Sequence, residues 1–142
     1  MNTHEKRFQE IIHREKPPYY QFLGIDIIDV KWGFARLKMN YDPKLTNPYG
    51  FVNGGFFSVL ADAATACALL GMTEEDRRLV TLEYKLNLLV PFREGFIISD
   101  ANIIHLGKET AVGEVDIRDQ TDTLVGKALI TYAIKGGREK PG

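Results

Sequence analysis

The sequence predicts an α+β fold in which an antiparallel six-stranded sheet wraps around a central helix, with a further helix at the N-terminus. Three observations carry this. From Phe56 to Leu70 the chain is rich in Ala and Leu, and Ser58, Asp62 and Thr65 are its only polar side chains. Such a helix is buried nearly all round. Two strand-like runs precede it and four follow, divided by turn signals. In the run after the helix, Val80, Leu82, Tyr84, Leu86 and Leu88 alternate with Thr81, Glu83, Lys85 and Asn87, the pattern of a sheet with one covered face. The helix is the natural cover.

Each element follows from local chemistry. Asn2 with Glu5 three residues later, then Phe8, Ile11 and Ile12 at helical spacing, predicts a capped helix within 1–18 that ends before Pro17-Pro18. Strands are expected over Ile25 to Val30 and Phe34 to Tyr41, hinged at Trp32-Gly33 as a half-buried hairpin. After the helix they are expected over Val80 to Val90, Gly95 to His105, Thr110 to Arg118 and Thr123 to Ile134, joined as a meander by turns at Pro91 to Gly95, Leu106-Gly107 and Asp119 to Asp122. Residues 136–142, rich in Gly and charge, read as a flexible tail. The whole of 1–142 reads as one domain, long enough to bury a core without staples.

Composition narrows the function classes. A net charge of -1 offers no basic field for nucleic acid or anionic lipid, so neither partner is expected. Cys67 is the only cysteine, which excludes an intrachain disulfide, and its place among alanines suits a small buried hydrophobe. His4, His13 and His105 fit no metal spacing, and no Ser or Cys nucleophile has a His base beside it in sequence. No metal or organic cofactor is expected. The start of the chain lacks an apolar h-region and the central helix is too short to span a bilayer, so a cytoplasmic location is expected, with no membrane partner.

Chemistry concentrates between Asn47 and Gly71. A carboxylate in a buried helix costs several kcal/mol to desolvate, so Asp62 should be partnered, solvated by a cleft or kept for chemistry; an exposed edge is the alternative. Asn53-Gly54-Gly55 opens the helix. Asn53 is a strong N-cap whose side-chain oxygen would accept from Gly55 or Phe56 N–H, leaving Gly54 N–H free at the positive end of the helix dipole. The bare Gly54 backbone would let a carbonyl approach, though glycines serving only a tight turn would look the same. Asn47 before Pro48 is either a turn residue or a side-chain amide aimed at substrate.

The element order, Asn47, Asn53-Gly54-Gly55, Asp62 and the stretch from Val80 to Pro91 together resemble the hotdog-fold acyl-CoA thioesterases of the phenylacetate-pathway type. That family's usual His before the paired glycines is Asn53 here. The resemblance implies hydrolysis of a coenzyme A thioester, aryl or fatty acyl, with coenzyme A entering as part of the substrate. It implies catalytic roles for Asp62 (base or nucleophile), Gly54 (oxyanion donor), and Asn47, Asn53 and Thr81 (orienting groups). Thr81 matches a hydroxyl position near the attacking water, although an exposed strand threonine is the alternative. The resemblance also implies Gly107 and Lys108 against the nucleotide; Gly55 is a further substrate-binding position, and Phe51, with Tyr19, Tyr20, Phe56 and Phe57, either lines an aryl pocket or an alkyl tunnel or belongs to the core. Two rivals remain open: an acyl-CoA-binding module without hydrolysis, and a hydratase or dehydratase, which would want a His near its carboxylate.

Helix length adds a constraint. Eight residues separate Gly54 from Asp62, about 12 Å at 1.5 Å per residue. Water, thioester carbon and N–H donor together reach roughly 8–9 Å at contact distances of ~3 Å. A site shared between two copies closes that gap, so a homo-oligomer with sites at the subunit interface is expected; the resemblance implies a dimer or dimer of dimers.

Overall fold

The computed structural model describes residues 2–136. Helix α1 spans Thr3–His13 and carries the capping box: Asn2 Oδ1 accepts from Glu5 N–H at 2.8 Å, while Asn2 N–H donates to Glu5 Oε2 at 3.4 Å. Its apolar face buries Ile11 completely. A short helix, α2 (Pro18–Leu23), then forms where the sequence reading placed only a helix stop. The reason is positional: a proline that ends one helix is pre-shaped for the first residue of the next, where its missing N–H costs nothing.

Strands β1 (Ile25–Lys31) and β2 (Phe34–Asn40) pair antiparallel as the expected hairpin, with an irregularity between Ile27 and Asp29. A single 3-10 turn at Pro43–Leu45 leads to α3, Gly54–Leu70. Strands β3 (Arg78–Leu88), β4 (Phe96–Leu106), β5 (Thr110–Asp119) and β6 (Leu124–Lys135) complete one six-stranded antiparallel sheet in the order β1-β2-β4-β5-β6-β3. This is the hotdog arrangement. The expected four-strand meander holds only for β4-β5-β6; β3 leaves the helix, crosses the sheet and pairs with β6 at the far edge. The β2–β4 pairing joins the β1–β2 hairpin to that meander, so β1 and β3 are the two edge strands of the sheet.

Helix α3 touches all six strands. Its Leu60, Ala64 and Ala68 are fully buried against Leu37, Met39, Ile97, Val115 and Ile117 of the sheet. Small residues let helix and sheet approach closely: a Cβ on Gly113 of β5 would stand 2.6 Å from the Thr65 methyl. Of the tail expected over 136–142, only Gly136 is described; the rest lies outside the described residues.

The alternation in β3 is not continuous. A bulge between Thr81 and Glu83 adds one residue to the strand, and the side chains change face across it. Before the bulge Thr81 points to α3; after it Leu88 reaches the first turn of α3, while Val80 and Leu82 are 44% and 58% exposed. The single apolar face expected from Val80 to Leu88 is therefore split between the helix and the outside.

Candidate active site

Asp62 lies half-buried in the middle of α3, and its carboxylate is held from the sheet. Thr81 Oγ1 donates to Asp62 Oδ1 at 2.8 Å, and the Tyr132 hydroxyl donates to the same oxygen at 2.6 Å. Tyr132 also reaches the Asp62 backbone carbonyl at 3.1 Å. Thr81 and Tyr132 are direct cross-strand partners on β3 and β6, so one register row delivers both hydroxyls. Burial, then the bond to Asp62, pushes the Tyr132 phenol far above its ordinary value, so it is a donor at neutral pH. Among the described residues, Asp62 Oδ2 has no partner. Asp62 lines a cleft of about 490 Å³ walled by α2, α3 and β3.

The first turn of α3 is built differently. Asn53 Oδ1 accepts from Gly55 N–H at 2.9 Å, and Phe56 N–H donates to the Asn53 carbonyl at 3.0 Å. Gly54 N–H is left out of both bonds. A Cβ on Gly54 would sit 2.4 Å from Leu88 Cδ1, so the glycine admits β3 to the helix end. Gly54 lines a second cleft, of about 390 Å³, with Asn47, Phe51 and the β3–β4 connection. The two clefts share no residue.

The family comparison matches residues 49–126 to the thioesterase superfamily, a span that includes both the glycine turn and Asp62. The chain belongs to that superfamily. It is 32% identical to a 1,4-dihydroxy-2-naphthoyl-CoA hydrolase of Listeria monocytogenes over 82% of this chain and 95% of the relative. Among solved structures, a thioesterase from Haemophilus influenzae superposes with a TM-score of 0.83 at 25% identity, covering 100% of this chain and 96% of the other. The PaaI protein of the Escherichia coli phenylacetic acid degradation operon gives 0.82 at 25% identity, covering 94% of each. This thioesterase is accordingly an enzyme, a thioester hydrolase.

The thioesterase brings the sequence-derived residues together in two groups. Thr81 bonds Asp62, which lines one cleft; Asn47, Phe51 and Gly54 line the other, with the exposed Asn53 and Gly55 beside them. Asn47 Oδ1 accepts from Tyr49 N–H at 2.9 Å and Phe51 N–H at 3.2 Å, so its oxygen shapes the loop. Gly55 N–H is taken by the cap. Gly107 and Lys108 form the β4–β5 turn, where Gly107 N–H donates to the Thr110 carbonyl at 2.8 Å. Thr110 pairs with Ala133, next to Tyr132, which sets that turn at the Asp62 end of the sheet. No histidine lines either cleft. Among the described residues no group of three or more His, Cys, Asp or Glu side chains could hold a metal, and no helix is long and apolar enough to cross a membrane.

Tyr132 was not singled out from the sequence. A signal exists: Ile130, Tyr132 and Ile134 share the inward face of β6, and a buried tyrosine needs a partner for its hydroxyl.

Proposed function

We propose that the enzyme hydrolyses the thioester of a coenzyme A conjugate to free acid and coenzyme A, at sites assembled from two copies of the chain. The observation that carries this is the separation of the two clefts: Asp62 and Gly54 sit on one helix yet open onto different cavities. A second copy packed antiparallel brings its Asp62 cleft to the first copy's Gly54 cleft. The outer edge of β3 favours such packing. It has a strand partner on one side only, and its Val80, Leu82, Tyr84 and Leu88 are all at least 44% exposed.

In this site Gly54 N–H stabilises the oxyanion as the carbonyl becomes tetrahedral. Asp62 Oδ2 acts on the acyl carbon through a water it deprotonates or by direct attack; either route needs the oxygen that Thr81 and Tyr132 leave unoccupied. Asn53 sets the shape of the turn; Asn47 lines the Gly54 cleft, and in this reading its side-chain amide donates to the thioester. Coenzyme A as the thiol is supported by the Listeria relative's named activity. In this reading Lys108 meets the nucleotide phosphates as a point charge.

Complementation tests the shared site. Asp62→Asn and Gly54→Pro chains, each folded by melting analysis, should release almost no thiol alone. Co-expressed heterodimers should recover up to half of a wild-type dimer's activity, because one of their two sites carries both intact groups. Heterodimers no more active than the parents would overturn the arrangement.

A further inference from the structure

We propose that Gly113 of β5 is a positioning residue for hydrolysis: its missing side chain sets how closely α3 approaches the sheet, and so whether Asp62 stays within reach of the two hydroxyls that orient it. The proposal rests on the reading of Asp62 as the reacting carboxylate, but its geometry stands on the helix–sheet contact alone. Gly113 and Thr65 are both buried, and a Cβ on Gly113 would stand 2.6 Å from the Thr65 methyl, with Thr65 Oγ1 and Cβ at 3.3 and 3.5 Å from the same point. Rotating the Thr65 side chain therefore clears no space. It would also disturb the bond that Thr65 Oγ1 donates to the Ala61 carbonyl at 2.9 Å.

Gly113 cannot retreat either. It lies opposite Ile103 of β4 and Ile130 of β6, in a strand whose ladders on both sides hold it in the sheet. The spacing between sheet and helix has to give instead. Thr65 lies three residues from Asp62, on the same side of α3. Ala111, two residues from Gly113 on the same face of β5, pairs with Tyr132. One turn of helix thus rests on Gly113 through Thr65 and is bonded to the neighbouring strand through Asp62. Carbon atoms keep ~3.5–4.0 Å apart, so a methyl at position 113 displaces this turn by roughly 1 Å. Starting from 2.8 and 2.6 Å, the Thr81 and Tyr132 hydroxyls then stand beyond hydrogen-bond reach of Asp62 Oδ1.

Gly113 lines neither cleft, so contacts with the substrate should survive its substitution. In Gly113→Ala, kcat of the folded enzyme should fall roughly 10- to 100-fold while KM stays within about twofold, since ~1 Å of misplacement carries losses of this size. A lowered melting temperature with kcat unchanged well below the transition, and both hydrogen bonds intact, would show a purely structural role and overturn the proposal. Adding Thr65→Ser removes the obstructing methyl and keeps the hydroxyl for Ala61, so Gly113→Ala/Thr65→Ser should recover most of the lost kcat. A double variant no more active than Gly113→Ala, or folded but inactive where Gly113→Ala alone does not fold, would also overturn it. Crystal structures of the folded variants read the two oxygen–oxygen distances and separate the proposal from the reading beneath it. Hydroxyls displaced from Asp62 in Gly113→Ala, with kcat still at the wild-type value, would leave the spacing role standing and remove Asp62 from the chemistry instead.

Discussion

The first turn of α3 and the turn that carries Asp62 lie on one helix but are held by opposite means. At the first turn the decisive bond spans two residues, from Gly55 N–H to Asn53 Oδ1, and the free Gly54 N–H follows from helix geometry alone. At Asp62 the partners are 19 and 70 residues away, on two strands that must first pair with each other. The first arrangement exists wherever the helix starts. The second exists only once β3 has crossed the sheet to reach β6, so the orientation of the carboxylate depends on the tertiary fold in a way the amide donor does not.

Removing the carboxylate should give the largest difference between the two ends. Asp62→Asn keeps the side-chain shape and an oxygen that can still accept from Thr81 and Tyr132, so folding should be preserved. Thiol release should fall at least ~100-fold because the base or nucleophile is gone. Near-wild-type release by the folded variant would move the chemistry away from Asp62.

A smaller effect should come from loosening the carboxylate without removing it. Tyr132→Phe and Thr81→Val each delete one hydroxyl donor, and a hydrogen bond to a charged group is worth about 1.5–3 kcal/mol. Roughly tenfold lower turnover is expected for each, since about 1.4 kcal/mol corresponds to tenfold in rate. Both donors hold the same oxygen, so their effects on turnover should couple. Activity and urea denaturation of the two single variants and the double variant give that coupling directly. Strict additivity would show that the hydroxyls act independently and that the register row is not a unit.

The same contrast explains what the sequence made legible. Local devices were readable: the Asn2–Glu5 capping box, the Asn53 cap, the apolar helix around Asp62, and the β1–β2 hairpin. Helix α2 was obscured because Pro17-Pro18 carries a stop signal and a start signal at once. The position of β3 was obscured because short connections favour neighbouring strands, while its partner β6 lies about 40 residues further along the chain. The bulge after Thr81 has no glycine or proline to announce it, so the alternation looked unbroken and Thr81 seemed to face away from the helix. Tyr132 became visible as part of the site only when that register was known. The residues that carry proposed chemistry were therefore found as isolated positions; the structure supplied the partners that orient them.

The smallest expected effect tests the local end. Asn53 is exposed, and among the described residues its one side-chain bond is the 2.9 Å cap to Gly55 N–H. Asn53→Ala should cost about 1 kcal/mol, a lowering of roughly 3–5 °C in melting temperature for a chain of this size. Asn53→Ser restores an oxygen that can accept from the same N–H but provides no amide donor. If capping is the whole contribution, the serine variant should regain both the melting temperature and most of the turnover lost in the alanine variant. Recovered melting with turnover still at the alanine level would instead show that the Asn53 amide touches the substrate, and the first turn would then depend on a direct side-chain contact as well as on its backbone.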